Sequence, residues 1–380
     1  MAEKENKTLS RVVLSKAKRI VVKVGSAVLA REEGLNIDVV RDLSAQLAAL
    51  KKQGRQITLV SSGAVAAGSG RLPEHASPRS ILEKQALAAV GQGQLMHAYE
   101  EAFKDFDIQV AQILLTRDGL IARERYLNAK NTLNTLLQWG IMPIVNENDT
   151  VATEELQFTD NDQLAALMVN LVDAELLICL SDIDGLYDKD PGEYSDTRRI
   201  PDVIDVDEGI LDLATDKPGR AGRGGMRSKL LSARLVTACG VPMVVAGGRT
   251  PQVLERLFSG EELGTFFHSY GKKIYGKKPW IAFTLVREGR LILDDGAVRA
   301  IKSRGKSLLP VGVKEVVGNF DPGACVNCCD KSGKEIAAGI SNYGSSELRR
   351  ILGCKTDEIR AQIGYLKKNE VIHRDNMVIF

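Results

Sequence analysis

Four times along this chain an apolar run of strand length ends in a group of small, polar or charged residues. Arg19-Ile-Val-Val-Lys-Val closes on Lys23, Gly25 and Ser26, and Gln56 to Val60 runs into Ser61-Ser62-Gly63-Ala64. Ile141 to Val145 leads to Asn146-Glu147-Asn148-Asp149, and Leu176 to Leu180 to Ser181-Asp182-Ile183-Asp184-Gly185. Runs without polar alternation suit strands covered on both faces, the condition of a parallel sheet. Between them, Asp38 to Gln53 sets Val39, Val40, Leu43, Leu47 and Leu50 at helical spacing before Gly54. Ile81 to Val90, Asn128 to Trp139 and Asp162 to Val172 read as further helices, and Ile108 to Leu115 and Val241 to Val245 as further strands. The alternation predicts an α/β fold, a mostly parallel sheet sandwiched by helices. Gly63, Gly68 and Gly70 read as a glycine-rich turn, and the polar stretch from Gly185 to Gly225 as a loop-rich excursion over the sheet edge.

At 380 residues the chain exceeds one average domain. Ser269 to Pro279, with Lys272, Lys273, Lys277 and Lys278, reads as a linker. Beyond it, alternating runs such as Arg290-Leu-Ile-Leu and Glu335-Ile-Ala-Ala-Gly-Ile predict a small β-rich domain. The expected division is an extension over 1–18, the α/β domain over 19–268, the linker over 269–279, the β-rich domain over 280–366 and a tail over 367–380. From Gly271 onward 20 Lys and Arg face 12 Asp and Glu, whereas the preceding chain has 31 against 37. A body of negative charge that handles anions must do so through a local site, not bulk charge. A charged start and the lack of any apolar run near membrane-span length predict a cytoplasmic protein with no membrane contact. Cys325, Cys328 and Cys329 have a spacing that could seed a metal site, yet with only Cys354 nearby and no adjacent His they read as reduced thiols, and no metal ligand is expected.

In open parallel sheets ligands bind beyond the carboxyl ends of the strands, where the polar groups named above fall. Asp160-Asn161-Asp162 and Gly222-Arg-Gly-Gly-Met-Arg-Ser-Lys229 add carboxylates, glycines and cations to the set. Glycines let amide groups approach phosphate oxygens and lysines neutralise a transferring phosphoryl group, so the composition suits nucleotide phosphate transfer. Other phosphate motifs fail. Gly305-Lys306-Ser307 lacks the leading glycine of a P-loop, His373-Arg374-Asp375 has no kinase motif after it, and Gly91-Gln92-Gly93 lacks the third glycine of a dinucleotide fingerprint. No His stands at a strand end. An acceptor carboxylate, already ionised at neutral pH, needs no base, although Asp149 or Asp162 could serve an alcohol.

Taken in order and spacing, Val22-Lys23-Val-Gly-Ser, Ser61-Ser-Gly-Ala-Val-Ala-Ala-Gly68, Val145-Asn-Glu-Asn-Asp149, Asp160-Asn-Asp162, Ser181-Asp-Ile-Asp-Gly-Leu-Tyr187 and Gly224-Gly-Met-Arg-Ser-Lys229 resemble the amino acid kinase family, and within it the members that phosphorylate glutamate. Asp295-Gly-Ala and Ser307-Leu-Leu-Pro-Val-Gly resemble a PUA domain. The resemblance implies transfer of the ATP γ-phosphate, with Mg2+, to the side-chain carboxylate of L-glutamate, the first step of proline biosynthesis. It implies that Lys23 and Lys229 embrace the transferring group while Asp162 orients both. Ser62, Asn146, Asp149 and Asn161 would hold glutamate. Lys23, Ser181, Asp182, Arg223, Gly224, Gly225, Met226, Arg227, Ser228 and Lys229 would hold the nucleotide. It further implies a homo-oligomer, commonly a tetramer, feedback inhibition by proline, and contact with glutamate-5-semialdehyde dehydrogenase. Arg223 and Ser228 depart from the family, which usually has Thr at both places.

Each of these residues also has a plainer reading. Lys23 could snorkel from a strand end, Lys229 could be a solvated first-turn lysine, Asp162 and Asp182 could cap helices or turns, and Ser62 could brace a glycine turn. Arg299, Lys302, Arg304 and Lys306 read as a solvated face ahead of an RNA footprint. Kinases of acetylglutamate, aspartate or nucleoside monophosphates, an RNA-binding protein acting through the PUA-like segment, and a silent amino acid sensor are the alternatives.

Overall fold

The computed structural model describes residues 11–78, 80–152, 160–214, 225–269, 287–354, 358–364 and 368–379. All of the expected linker over 269–279 but Ser269, the opening of the β-rich domain over 280–286, and Arg223 and Gly224 lie outside the described residues. The chain divides into two units, Met1–Lys273 and Ile274–Phe380.

The first unit opens with a helix over 11–16 (α1), β1 (Arg19–Val24), the single turn α2 (Ser26–Leu29), a small hairpin of β2 (Ala30–Arg31) and β3 (Gly34–Leu35), and α3 (Ile37–Lys52). There follow β4 (Gln56–Ser61), α4 (Ala64–Arg71), α5 (Ile81–Lys104), β5 (Val110–Leu115), α6 (Arg117–Ile121), α7 (Arg123–Gln138) and β6 (Met142–Glu147). The remainder is α8 (Asn161–Leu171), β7 (Leu176–Ser181), β8 (Leu186–Tyr187), β9 (Arg199–Ile200), β10 (Asp202–Val203), α9 (Glu208–Asp212), α10 (Met226–Ala238), β11 (Met243–Gly247), α11 (Val253–Phe258) and β12 (Thr265–Phe267). Eight strands form one sheet in the order β10-β12-β11-β7-β1-β4-β6-β5. Every pairing is parallel except β11 with β12.

The period-two alternation of β1 decides where its lysine goes. Ile20, Val22 and Val24 pack with Val40, Leu43, Leu47 and Leu50 of α3 and Leu95, Tyr99 and Phe103 of α5 in one core. Val21 and Lys23 therefore face the other side, where α8 lies against β1, β4 and β7.

The glycine-rich turn expected through Gly63, Gly68 and Gly70 is a helix, α4, and the helix expected to end at Val90 continues to Lys104. The cause is a close crossing. A Cβ on Gly68 would lie 2.0 Å from the Leu87 carbonyl oxygen, and one on Gly91 would lie 1.9 Å from that of Ala64. The glycines let α4 and α5 touch, and their sequence looks like a breaker. Residues 11–18, set apart as an extension, pack onto the unit: Leu14 is fully buried in the same core, and Arg11 donates to the Pro201 carbonyl oxygen at 3.1 Å.

The second unit holds β13 (Arg287–Leu293), α12 (Asp295–Arg304), β14 (Val313–Val317), β15 (Cys325–Cys329), β16 (Glu335–Ile340), α13 (Ser345–Arg350), α14 (Ile359–Ile363) and β17 (Met377–Ile379). Its sheet runs β14-β13-β15-β16-β17, with β13 and β15 parallel and the other neighbours antiparallel. β17 lies inside the stretch expected as a tail, and Met377 belongs to the core. Gly305, with φ of 55°, ends α12, so Gly305-Lys306-Ser307 closes a helix where a P-loop would open one. Cys325, Cys328 and Cys329 are free thiols buried in β15.

Candidate active site

Parallel strands bring their carboxyl ends to one edge, and backbone hydrogen bonds continue past the strands to hold those ends in register. The Gly25 amide donates to Leu180 O at 3.0 Å, and the Ser62 amide donates to Val24 O at 3.2 Å. Lys23 thus stands between Val60 of β4 and Cys179 of β7. Gly63, the residue before α4, has φ of 108°, which a side chain would strain, so the chain turns from Ser62 into the helix there.

The amino end of α8 reaches the same edge. Asp160 caps it, its Oδ1 accepting from the amides of Asp162 at 2.8 Å and Gln163 at 3.3 Å. With the cap supplied by Asp160, the Asp162 carboxylate is left to pair with cations. Its Oδ1 is 2.6 Å from Lys23 Nζ and its Oδ2 is 3.0 Å from Lys229 Nζ. Asp162 is fully buried and both lysines are 4% exposed. Burial alone would push the Asp162 carboxyl up, but the ammonium groups of Lys23 and Lys229 and their hydrogen bonds hold it down at about 2. Burial likewise works against the charge on Lys23, and Asp162 overcomes it and raises the pKa. The Asp160 carboxyl moves the opposite way from Asp162, pushed up by burial and by Asp162 beside it. A lysine in the first turns of α10 opposes the helix dipole, and Asp162 is the anion that answers Lys229. One carboxylate thus holds two ammonium groups at a set spacing in a nearly sealed site, an arrangement suited to a group that gains negative charge in transfer.

Beside this triad runs a chain of amides. Asn161 Nδ2 donates to Ser62 Oγ at 2.8 Å and to Asn146 Oδ1 at 2.9 Å, and Asn146 Nδ2 donates to Gln92 Oε1 at 2.9 Å. The expected residues Ser62, just past β4, and Asn146 of β6 are therefore joined through Asn161 of α8. Asp149 is half-buried, in the turn just past β6.

On the other flank of β1, Ser181 is buried at the end of β7 and its Oγ donates to the exposed Asp182 at 3.0 Å. The Gly248 amide donates to Ser181 O at 2.7 Å, joining this end to β11. Gly225 precedes α10, whose first turn carries Met226, Arg227 and Ser228, all half-buried. Lys23 thus divides the edge into a half with Ser62, Asn146 and Asn161 and a half with Ser181 and Asp182.

The sequence profile of the amino acid kinase family matches residues 18–247, and that of the PUA domain matches residues 289–363. The chain belongs to the amino acid kinase family. It is 49% identical over 368 residues to the glutamate 5-kinase of Geobacter sulfurreducens, covering 97% of this chain and 99% of that one. The glutamate 5-kinase of Thermus thermophilus is 48% identical over 363 residues, covering 96% and 97% of the two chains, and that of Desulfotalea psychrophila is 46% identical over 372 residues, covering 98% and 99%.

Two residues that contact the candidate site escaped the sequence reading. Asp160 lies two residues before Asp162, but its capping role shows only when α8 begins at Asn161. Gln92 is 54 residues from Asn146, in the middle of a long helix. Its one available signal was the pair of glycines around it, which read as a failed nucleotide fingerprint.

Proposed function

We propose that this amino acid kinase transfers the γ-phosphate of ATP to the side-chain carboxylate of L-glutamate, giving γ-glutamyl phosphate and ADP, the first step of proline biosynthesis. The observation that carries the proposal is the buried bridge of Asp162 between Lys23 and Lys229. The glutamate 5-kinase relatives, matched over nearly their whole length, support the choice of acceptor. The acceptor oxygen attacks phosphorus as the bond to the β–γ bridging oxygen breaks, and ADP carries away the electron pair. A carboxylate is ionised at neutral pH, so no proton has to be removed first. Lys23 and Lys229 neutralise the charge spread over the phosphoryl oxygens, and Asp162 keeps them from drifting apart.

Ser62, Asn146, Asp149 and Asn161 form the acceptor side, and Ser181, Asp182 and the segment from Arg223 to Lys229 the nucleotide side. A hard cation such as Mg2+ keeps most of its waters and takes few protein ligands, so it suits this site as a passenger on the nucleotide phosphates. The same reading carries a tetramer, inhibition by proline, a contact with glutamate-5-semialdehyde dehydrogenase and a cytoplasmic location. No described helix is long and apolar enough to cross a membrane.

The test is ATP turnover by the purified chain with Mg2+, trapping acyl phosphate with hydroxylamine. Hydroxamate from L-glutamate, and none from N-acetylglutamate or aspartate, is the expected result. Product from either control in place of glutamate overturns the substrate assignment.

A further inference from the structure

Gly91-Gln92-Gly93 has no part in the reaction as derived so far, yet α5 is held firmly at this point. Gly91 faces α4 so closely that a Cβ would meet Ala64 O at 1.9 Å and the Gly68 amide nitrogen at 2.3 Å. Two turns on, the Tyr99 hydroxyl and Ser61 Oγ lie 2.8 Å apart at the end of β4. Between these anchors the Gln92 side chain meets Asn146 at 2.9 Å.

With the Gln92 oxygen turned toward Asn146, one direction runs through the contacts beyond it. With Gln92 Oε1 accepting from its Nδ2, Asn146 can turn only its Oδ1 toward Asn161, which donates to it. The two hydrogens of Asn161 Nδ2 are then committed to Asn146 and Ser62, so its Oδ1 points elsewhere as an acceptor. Ser62 Oγ receives a hydrogen bond and keeps its own proton to donate.

We infer that Gln92 is a positioning residue that sets the polarity of the amide chain, so that Ser62 presents a donor and Asn161 an acceptor to the phosphate-accepting substrate. One donor and one acceptor are what the carboxylate and ammonium of a zwitterionic amino acid require. Without the Gln92 oxygen, Asn146 is free to flip, and its Nδ2 would then face Asn161 Nδ2, breaking the chain.

The inference rests on glutamate being the acceptor, so hydroxamate formation by the wild-type chain is measured first. Gln92→Met removes the oxygen while keeping an unbranched, helix-compatible side chain. It should raise the KM for glutamate about tenfold, the size of one net hydrogen bond, with kcat and the KM for ATP within about twofold of wild type. Gln92→Ala should do the same. In an Asn146→Ala background Gln92→Met should add nothing further, because the link it acts through is already gone. An unmoved glutamate KM in both Gln92 variants, equal rises for glutamate and ATP, or effects that multiply with Asn146→Ala overturn the inference alone. A wild-type chain inactive on glutamate overturns both it and the reading on which it rests.

Discussion

In the first unit the buried residues include Lys23, Glu147, Asp162 and Lys229, whereas among the described residues of the second unit the buried polar side chains are Asn327, Ser341 and Ser345 and every charged group reaches water. The second unit keeps its ion pairs at the surface, as with Lys331 and Asp295, 2.8 Å apart and both more than half exposed. Screened by water, such pairs do little for stability. Buried charge is different: taking ions out of water costs several kcal/mol each, and well-packed apolar residues of the same volume are often as stable or more so. The second unit is therefore built as a fold organised for stability is built, and the first departs from that plan at one edge of its sheet. That departure marks the candidate site.

The largest effect that could break this contrast is at Asp162. Asp162→Asn leaves two ammonium groups side by side in a buried place, and should lower stability by about 3–5 kcal/mol in urea unfolding of the full chain. Lys331→Ala in the second unit should leave the midpoint where it was, and equal shifts from the two would end the distinction. Next comes Lys229→Ala, expected to reduce kcat about 100- to 1000-fold while the glutamate KM changes little, because its charge acts on the transition state. A fall in affinity with unchanged kcat would make Lys229 a binding residue only.

Acid should reveal the same carboxylate. Asp162 is held at about 2 in the folded protein, below the unfolded value of about 3.9, so its contribution is complete above the unfolded value and disappears as pH falls toward 2. The loss should be on the order of 2–3 kcal/mol between about pH 5 and 2, and should be missing from Asp162→Asn when the two proteins are titrated side by side.

The smallest effects compare two glycines of one helix. Gly91→Ala drives a methyl into Ala64 O and should cost about 1–3 kcal/mol. A Cβ on Gly93 would meet nothing within 4 Å, so Gly93→Ala should stabilise by about 0.5–1 kcal/mol through helix propensity. Melting temperatures that move in the same direction would refute the assigned crossing.

Much of the first unit is legible in its sequence. The runs that became β1, β4, β6 and β7 stood out because strands covered on both faces carry no polar alternation, and their polar ends stood out because the alternation of strand and helix makes them neighbours. Lys23 was the clearest case, a charge between valines. The sequence predicts a turn where α4 stands and ends α5 at Val90, since a glycine that admits a neighbouring helix and a glycine that turns the chain are the same letter. β17 was missed because three residues of strand are too short to show a period.

Local periodicity and the parallel direction of the strands were enough to set most of the strand-and-helix order of the first unit and the edge on which the polar residues collect. Only the tertiary structure decided that Asp160 takes the cap and leaves Asp162 between two lysines, and that Gln92 closes a chain of amides with Asn146, Asn161 and Ser62. Those partners lie up to 139 residues apart, as Lys23 and Asp162 do, and which donor meets which acceptor is settled by how helices pack on the sheet, a property no local pattern carries.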